Sequence, residues 1–405
     1  TKWMVPSSFI IPANGVAIIF CSGRDEITGT YAHSNFKITQ TKGSEVLMLS
    51  DAGGILQDSI RVMPNQTSHT RGRETDGATT WSVFTTGTPN NTNTGAMQEY
   101  EPAPFFSVAP GYQSAPISLS ILSASSVYYT LNGDVPTSAS TAYTGPINLA
   151  ATAVVKAIAI NSDPSIPPSF IEYGTFFFGL DNHTIPILSI SGDGLDDLLV
   201  SVPGGGWGSS TAAPNSEPIG TIEYFDENGV LVDKGVGEYN KHGNDSWNWY
   251  DQRGMDYIMR DQFGYNYALK DKIFETKDRD KFQRLIIKAA ANDNYPFSSN
   301  GSGAHIRDSY IHHLSQLAKL KLDERSYAPC ILYKNGEYWG VYDIREKVDD
   351  PDFLDYYYDQ FSNEFNHDSP MCQFYMDPEN GRMTIEDKAE LSFSFLRDLD
   401  DRVEL

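Results

Sequence analysis

A carboxylate at the end of an apolar strand is the first residue in this sequence whose type and position suggest chemistry. Glu346 closes the run YWGVYDIRE. A buried carboxylate needs a partner, because moving an unpaired charge out of water is costly. Two interpretations stay open. Glu346 either supports a group that contacts a nucleotide, or it forms a structural ion pair with Arg345, Lys347 or Arg307.

Other charged residues also suit phosphate binding. Arg307 and Asp308 open the clearest helix of the chain, so they either contact phosphate or substrate, or Asp308 favours the helix dipole while Arg307 pairs with an acid. Lys270 and Lys272 either bind phosphate or neutralise their acidic neighbours.

The sequence does not predict a metal site. His312 and His313 occupy adjacent helical positions and therefore point apart, so they cannot chelate one metal together. Cys21, Cys330 and Cys372 lack the spacing of a zinc site and are too few for a disulfide scaffold.

The elements that must position these residues are a hairpin and a helix. Asn335-Gly336 between two apolar runs predicts a hairpin with a type I′ turn, in which both turn residues need positive φ. The expected pairs are Lys334 with Glu337, Tyr333 with Tyr338, and Leu332 with Trp339. Glu346 is then expected on the face that carries Tyr338, Tyr342 and Ile344. Both faces are apolar, which favours a central position in the sheet.

Two amphipathic helices are predicted in the same part of the chain. The first spans 304–322, with a stripe formed by Ile306, Tyr310, Leu314, Leu317 and either Leu320 or Lys321. The second spans 385–403, with a stripe formed by Leu391, Phe395, Leu399 and Val403. The glycine-rich run at 203–210 is predicted to be a flexible surface loop, because no Gly-Lys-Ser/Thr follows it.

The charge of the chain is concentrated in its last part. The net charge is −23; residues 1–104 carry 7 basic and 9 acidic groups and residues 105–175 carry 1 and 3, which leaves 22 and 41 for 176–405. This acidity argues against nucleic acid or an anionic membrane as partner and suits a cationic one. No apolar run is long enough to span a bilayer, and the chain opens inside a patterned segment, as an excerpt of a longer protein would.

Residues 1–98 are predicted to be a β-sandwich, because short strands alternate with Gly and Asn-Gly turns. The blocks IPANGVAIIF, SNFKI, GSEVLMLSDAGGILQDSI and SHTRGRETDGATTW resemble the lamin-tail domain in its bacterial extracellular form. This resemblance implies an incomplete Ig-like sandwich that binds or spaces rather than catalyses.

Residues 99–178 are predicted to be a second sandwich. The blocks PG at 110–111, YYTLNGDVPT at 128–137, YTGPI at 143–147 and VKAIA at 155–159 resemble the chitobiase/β-hexosaminidase C-terminal domain. The resemblance implies an Ig-like accessory domain. Tyr128, Tyr129 and Tyr143 either stack on sugar rings or belong to the strand core.

Residues 179–405 resemble the spore-coat protein H (CotH) kinase-like family. The matching blocks are IPILSI at 185–190, IEYFDENG at 222–229, HGNDS at 242–246, QRLII at 283–287, IRD at 306–308 and NGEYWGVY at 335–342, followed by Glu346. The resemblance implies an α+β kinase-like domain, incomplete at its C-terminus, that uses ATP with Mg²⁺ or Mn²⁺ to phosphorylate Ser or Thr of exported or coat proteins.

Two departures from that family bear on activity. Trp247 follows Ser246 where the family often has Arg, and Arg253-Gly254 stands where it has Lys followed by Ser; Arg253 can replace the lysine through a bidentate phosphate contact. The later acidic blocks that would hold metal ions are absent, so this chain alone is expected to be inactive.

The resulting expectation is a secreted or cell-surface bacterial protein with two Ig-like sandwiches and a truncated α+β kinase-like domain. The candidate catalytic residues are Glu346, Arg307 and Asp308. The candidate cofactor-binding residues are Arg253, Ser246 and Lys270. The alternative is a noncatalytic adhesion or matrix protein with a degenerate kinase-like scaffold, whose sandwiches bind cell-wall or extracellular glycan or protein.

Overall fold

Strands dominate the computed structural model of this chain, as the alternating apolar runs predict. The structure describes residues 3–13, 15–179, 183–199, 217–243, 252–294, 303–320, 322–348, 350–358, 374–376 and 383–385. The chain divides into two compact units, Thr1–Glu346 and Lys347–Leu405, which are described separately. No helix in the described ranges is long and apolar enough to cross a membrane.

Short strands build the described part of the first segment. They form three small sheets, in the orders β1-β3-β2, β4-β5 and β6-β7. Their bounds are β1 (Ile19–Phe20), β2 (Glu26–Thr28), β3 (Tyr31–His33), β4 (Val46–Ser50), β5 (Leu56–Arg61), β6 (Thr70–Arg73) and β7 (Trp81–Phe84). The all-β prediction for this segment is confirmed, whereas its lamin-tail topology stays a prediction.

The second segment is a two-layered β structure around one apolar core. One layer is a five-stranded sheet, β13-β12-β15-β16-β9; the pairs β8-β11 and β10-β14 lie apart from it. The bounds are β8 (Phe105–Phe106), β9 (Gly111–Gln113), β10 (Ile117–Leu119), β11 (Ile121–Leu122), β12 (Ser126–Thr130), β13 (Thr141–Ala142), β14 (Ile147–Leu149), β15 (Ala153–Ile160) and β16 (Glu172–Phe178). Leu119, Val127, Leu149 and Phe176 are buried between the layers.

Seven of the described strands after residue 186 close into a barrel of order β17-β18-β19-β20-β23-β25-β24, and β21 and β22 form a separate pair. Its parallel pair, β17 with β24, closes the ring. The bounds are β17 (Ile187–Ser191), β18 (Ile219–Phe225), β19 (Leu231–His242), β20 (Gly254–Met259), β21 (Leu269–Lys270), β22 (Lys281–Phe282), β23 (Arg284–Lys288), β24 (Tyr327–Lys334) and β25 (Glu337–Glu346). The interior is filled by apolar side chains such as Leu188, Ile222, Ile287 and Leu332.

Helices are few in the described residues. They are α1 (Leu195–Leu199), α2 (Arg307–Leu317) and α3 (Pro351–Tyr358). The helix predicted at 304–322 is therefore confirmed as the shorter α2. The third segment is less helical than the predicted α+β class, and its kinase-like nature stays a prediction.

The hairpin β24-β25 has the predicted turn and a central position, but not the full predicted register. Asn335 and Gly336 have φ of 50° and 85°, as a type I′ turn requires. Leu332 pairs with Gly340 rather than with Trp339, because a β-bulge inserts Trp339 as an extra residue.

The bulge also places Tyr338 on the opposite face of β25 from the one predicted. Tyr338 stays opposite Tyr333, whose ring belongs to the cluster on the outside of the barrel. Tyr342 and Ile344 point into the barrel core. The prediction that Tyr338 shares a face with Glu346 was therefore wrong, since one extra residue reverses the alternation of side chains.

Three segments of the chain meet at Gly264. Its φ is +79°, and a Cβ there would overlap Phe170 of the second segment and the carbonyl oxygen of Asn65 of the first. Close by, the backbone N–H of Gln40 donates to Asp261 Oδ2 at 2.8 Å. The position therefore requires glycine, both for its left-handed backbone and for this close approach.

A buried polar network joins the second segment to the barrel. Lys156 of β15 donates from Nζ to the carbonyl oxygen of Ser191 at 3.3 Å. Glu223 of β18 accepts from the Thr175 backbone N–H at 3.0 Å and from the Thr175 hydroxyl at 2.5 Å. Burial lowers the pKa of Lys156 to about 8 and raises that of Glu223. The second segment is thus tied to the barrel by specific charged groups.

The second unit is small in its described part. Phe353 of α3 is buried, and its ring lies 4.5 Å from that of Tyr357. Strands β26 (Phe374–Met376) and β27 (Met383–Ile385) form a hairpin. Ile385 is therefore extended rather than helical as predicted, because its backbone pairs with Phe374. The rest of the predicted helix, 386–403, and the glycine-rich loop at 203–210 lie outside the described residues.

The close packing at Gly264 predicts a specific loss of stability. Gly264→Ala should lower the free energy of unfolding by about 3 kcal/mol, of which the left-handed backbone accounts for about 1 and overpacking for about 2. The control is Gly77→Ala, because Gly77 has φ of +77° with no heavy atom within 4 Å of its Cβ position. It should lose about 1 kcal/mol. Urea denaturation measures the free energy of unfolding of both variants. Equal losses in the two would contradict the close packing of the three segments at Gly264.

The buried lysine predicts a pH dependence. The unfolded chain binds more protons than the folded one between the folded pKa of Lys156, about 8, and its ordinary value of 10.5. The free energy of unfolding should therefore rise with pH in this window, by about 2 kcal/mol from pH 7.5 to 9.5 relative to Lys156→Met. Denaturation of both proteins across this range measures the difference.

The control variant is Lys42→Met, which changes an exposed lysine and should show the same pH dependence as the wild type. A pH-independent difference between the wild type and Lys156→Met would contradict the assignment of the pH dependence to Lys156.

Candidate functional site

Glu346 is a buried, paired carboxylate. It ends β25, and Arg279 Nη1 lies 3.2 Å from its Oε1. The Ser326 hydroxyl donates to Oε2 at 3.3 Å, and the Glu346 backbone N–H donates to the Ser326 carbonyl oxygen at 3.1 Å. Arg279 also donates from Nε to the carbonyl oxygen of Lys281 at 2.9 Å. The charge of Glu346 is thus neutralised inside the protein.

The partner of Glu346 is not one that the sequence analysis considered. Arg345, Lys347 and Arg307 were named because they lie nearby in the sequence or open the helix. Arg279 is 67 residues away in the chain. Because Arg279 lies so far from Glu346 in the chain, the local spacing of residues could not indicate this pair.

Asp308 belongs to a charge cluster on the outer side of the barrel. Its Oδ2 lies 2.5 Å from Lys288 Nζ and 2.7 Å from Arg345 Nη1. Burial opposes ionisation, but Lys288 and Arg345 outweigh it and hold the pKa of Asp308 well below its usual value. Asp308 is therefore an anion that anchors α2 to strands β23 and β25.

Asp343 and Ser309 complete this cluster, and the sequence analysis missed both. The Ser309 hydroxyl donates to Asp343 Oδ2, and Arg345 Nη1 lies 4.0 Å from the same oxygen. Burial raises the pKa of Asp343, while the bond from Ser309 opposes the rise. The signal in the sequence was the pair Asp343 and Arg345, the two charged residues in the interior of β25, between its terminal Glu337 and Glu346.

Arg307 points away from Arg345 and Lys288. Its Nη1 lies 3.0 Å from Asp293 Oδ1, and its backbone N–H donates to Asp293 Oδ2 at 3.0 Å. The Arg307 side chain is 61% exposed. Arg307 and Asp308 are adjacent but lie in different ion pairs, so the two candidate residues do not act on one point.

Arg253 is buried at one end of the barrel. It immediately precedes β20, and both its backbone and its guanidinium lie near the Tyr342 hydroxyl, whose pKa is raised by burial. Gln252 donates to the carbonyl oxygen of Trp339 at 2.9 Å and accepts from Asn294 at 2.9 Å. Ser246 lies outside the described residues, so its predicted role in cofactor binding stays a prediction.

Arg253 and Glu346 lie at different depths of the barrel. Arg253 is beside Tyr342, which precedes Glu346 on β25 by four residues, or about 13 Å of extended strand. The core residue Ile344 lies between them. The structure therefore does not combine the candidate phosphate-binding arginine and the candidate catalytic carboxylate in one site.

Lys270 is an exposed residue of the β21-β22 pair, whose Leu269 and Phe282 are buried. Its Nζ donates to Asn266 Oδ1 at 3.1 Å and lies 4.8 Å from the centroid of the Tyr267 ring. Its backbone N–H donates to Asp233 Oδ2 at 2.8 Å. The ammonium group of Lys270 therefore contacts an amide and an aromatic ring, whereas the carboxylate of Asp233 is met by the backbone N–H. Both predicted roles of the Lys270 side chain stay predictions.

The two adjacent histidines point apart, as predicted. His312 Nδ1 accepts from the Arg325 backbone N–H at 3.2 Å, which leaves the proton on Nε2, 3.5 Å from Asp308 Oδ1. Burial lowers the pKa of His312. His313 instead meets the Tyr327 ring edge-on at 5.9 Å. In the described ranges, no three His, Cys, Asp or Glu side chains are grouped so that they could hold a metal ion.

Two of the candidate sugar-stacking tyrosines belong to the core of the second segment. The rings of Tyr129 and Tyr143 meet edge to face at 6.4 Å. The Tyr143 hydroxyl accepts from the Ile121 backbone N–H at 3.1 Å. Both rings pack against the apolar cluster between the layers, so they do not form a flat sugar platform.

Comparison with known proteins identifies one domain of the chain. Residues 108–166 match the family model of the chitobiase/β-hexosaminidase C-terminal domain, which confirms that resemblance. The comparison with curated proteins found no match. The matched residues lie within the second segment, so the lamin-tail and CotH resemblances of the flanking segments stay predictions.

The buried pair predicts a structural role for Glu346. Arg279→Met should lower the free energy of unfolding by about 4 kcal/mol, because it leaves an uncompensated buried carboxylate. Adding Glu346→Leu to that variant should recover more than half of the loss. Arg307→Met, which breaks an exposed pair, should cost no more than about 1 kcal/mol. Denaturation of the four proteins measures this, and equal losses in the two single variants would contradict the pairing.

Proposed function

We propose that this chain is a noncatalytic binding and spacing protein of the cell surface or extracellular space. The observation that carries the proposal is that each charged residue predicted to be catalytic is held in an ion pair with another residue of the chain. Glu346 is paired with Arg279, Asp308 with Lys288 and Arg345, and Arg307 with Asp293. Groups held in ion pairs between elements stabilise a scaffold, and separate ion pairs do not converge on one reacting atom.

The second segment supports the same proposal. Its match is to an accessory type of domain that is named for carbohydrate-active enzymes, which favours a glycan as one ligand class of the whole protein. The buried bonds of Lys156 and Glu223 hold this domain against the barrel. These bonds hold the second segment and the barrel in a fixed relative orientation, as a spacing protein requires. The low cysteine content and acidic charge support a location outside the cell.

A CotH-type protein kinase is the second candidate. Arg253 favours it, because a buried arginine beside the hairpin that carries NGEYWGVY is suitably placed for a nucleotide phosphate. In that case the protein would transfer phosphate from ATP, with Mg²⁺ or Mn²⁺, to Ser or Thr of an exported or coat protein. Among the described residues, no three His, Cys, Asp or Glu side chains are grouped so that they could hold that metal.

Incubation with labelled ATP separates the two candidates. The noncatalytic proposal expects no label on the chain or on an added acceptor protein with Mg²⁺ or Mn²⁺, and no rise in melting temperature with ATP. Arg253→Met is the matched variant, because it keeps a side chain of similar length but removes the positive charge that would contact a phosphate. Incorporation by the wild type that Arg253→Met abolishes would overturn the proposal in favour of the kinase.

A further inference from the structure

Helix α2 is attached to the barrel by polar contacts rather than by its apolar stripe. The large apolar residues of the helix and of the position before it are 41–63% exposed: Ile306, Tyr310, Ile311, Leu314 and Leu317. The stripe predicted from the sequence therefore faces solvent, whereas a surface helix usually buries it against the core. Ser309 is the buried residue of α2, and it bonds to Asp343. Because polar contacts can depend on protonation and apolar burial does not, the attachment of α2 can respond to pH.

The C-terminal half of α2 holds segment 324–326, which leads into β24. His312 Nδ1 accepts from the Arg325 backbone N–H at 3.2 Å. Two further side chains of α2 bond to the residues on either side of Arg325, and these pairs are Ser315 with Glu324 and Gln316 with Ser326. Each residue of the segment is thus held by one side chain of the helix, and among these three side chains His312 is the titratable one.

The acceptor role of His312 is fixed by chemistry. A backbone N–H can only donate, so Nδ1 carries no proton while it accepts from Arg325. A protonated imidazole has two N–H donors and no acceptor. Uptake of a proton by the ring therefore replaces this hydrogen bond with two N–H groups that face each other, and the ring and segment 324–326 must move apart.

The surroundings of His312 favour its neutral form. Burial lowers the pKa of His312 below its ordinary value of 6.5, and three nearby cations lower it further: Arg345 of β25, Arg325 of the segment and Lys288 of β23. Asp308 acts in the opposite direction, with its Oδ1 3.5 Å from Nε2. Since the docked ring takes up a proton less readily than a ring in water, a fall in pH favours the separated state.

Two other carboxyl groups face the same region. Burial raises the pKa of Asp343 on β25, so the docked state binds that proton more readily and Asp343 opposes release as the pH falls. Glu324 accepts from the Ser315 hydroxyl, and this bond also changes if acid removes the charge of the carboxylate. An experiment must therefore separate the effect of His312 from that of Glu324.

Asp308 keeps the other half of α2 in place. Burial opposes its ionisation, but Lys288 and Arg345 hold the pKa of Asp308 well below its usual value, so both ion pairs persist in mild acid. We propose that His312 is a pH-sensitive attachment point, whose protonation releases segment 324–326 from the C-terminal half of α2 while Asp308 holds the N-terminal half on the barrel. This inference is independent of the proposed function, because it concerns the attachment of α2 and not a ligand.

Amide hydrogen exchange of the Arg325 N–H tests the proposal in the whole chain. Its protection factor should fall about tenfold or more between pH 7 and pH 5, because each proton bound by His312 removes the acceptor. The amides of residues 330–333 in β24 should keep their protection over the same range. Loss of protection in β24 together with Arg325 would overturn the proposal, since the change would then be unfolding of the barrel.

The matched variants are His312→Asn and His313→Asn. In His312→Asn the amide oxygen provides an acceptor near the position of Nδ1 that does not titrate, so the protection of Arg325 should no longer depend on pH. His313 meets the Tyr327 ring edge-on, and His313→Asn should retain the pH dependence of the wild type. A fall in protection that persists in His312→Asn would assign the response to Glu324 and overturn the proposal.

A titration of the wild type keeps the test valid even if His312→Asn does not fold. The imidazole resonances of His312, followed by NMR, should titrate below pH 6.5. The midpoint should coincide with the midpoint of the fall in Arg325 protection, because one proton controls both. Midpoints more than about one pH unit apart would overturn the proposal, since a tenfold difference in proton affinity would mean two different groups.

Discussion

Closure of the barrel depends on the parallel pairing of β17 with β24, and the Asn335 turn secures both strands. The Asn335 backbone N–H donates to the carbonyl oxygen of Ile190 at 2.8 Å, and its side-chain oxygen accepts from the Gly192 N–H at 3.0 Å. A Cβ on Gly133 of the second segment would lie 3.0 Å from that same side-chain oxygen. One turn therefore closes the ring and provides the contact surface for the neighbouring domain.

Charged residues serve as attachments throughout this protein. Lys156 and Glu223 join the second segment to the barrel, and Asp308 with Arg345 attaches α2. Buried ion pairs and polar networks rarely add net stability compared with apolar packing, but they select one arrangement, because any other leaves a charge without a partner. The paired charges of these residues therefore give the modules a defined relative geometry.

The attachment of α2 by its polar face has a functional consequence. A helix held by ion pairs and side-chain amides does not need its apolar stripe for its own docking. The stripe is therefore left exposed to solvent. A protein built from paired charges inside and an apolar helical face outside is suited to recognition. This is consistent with the noncatalytic role we propose.

Local sequence signals determined much of this fold. Asn335-Gly336 specified its turn because both residues readily adopt positive φ. The sequence blocks between residues 110 and 159 carried the resemblance to the chitobiase/β-hexosaminidase C-terminal domain that the family match at 108–166 confirms. The tertiary structure alone decided the Trp339 bulge, the pairing of Glu346 with Arg279 and the outward face of α2. Each of these depends on a contact between distant parts of the chain. Periodicity shows that a helix has an apolar stripe, but only the positions of Asp343, Arg345 and Ser326 decide which way the stripe faces.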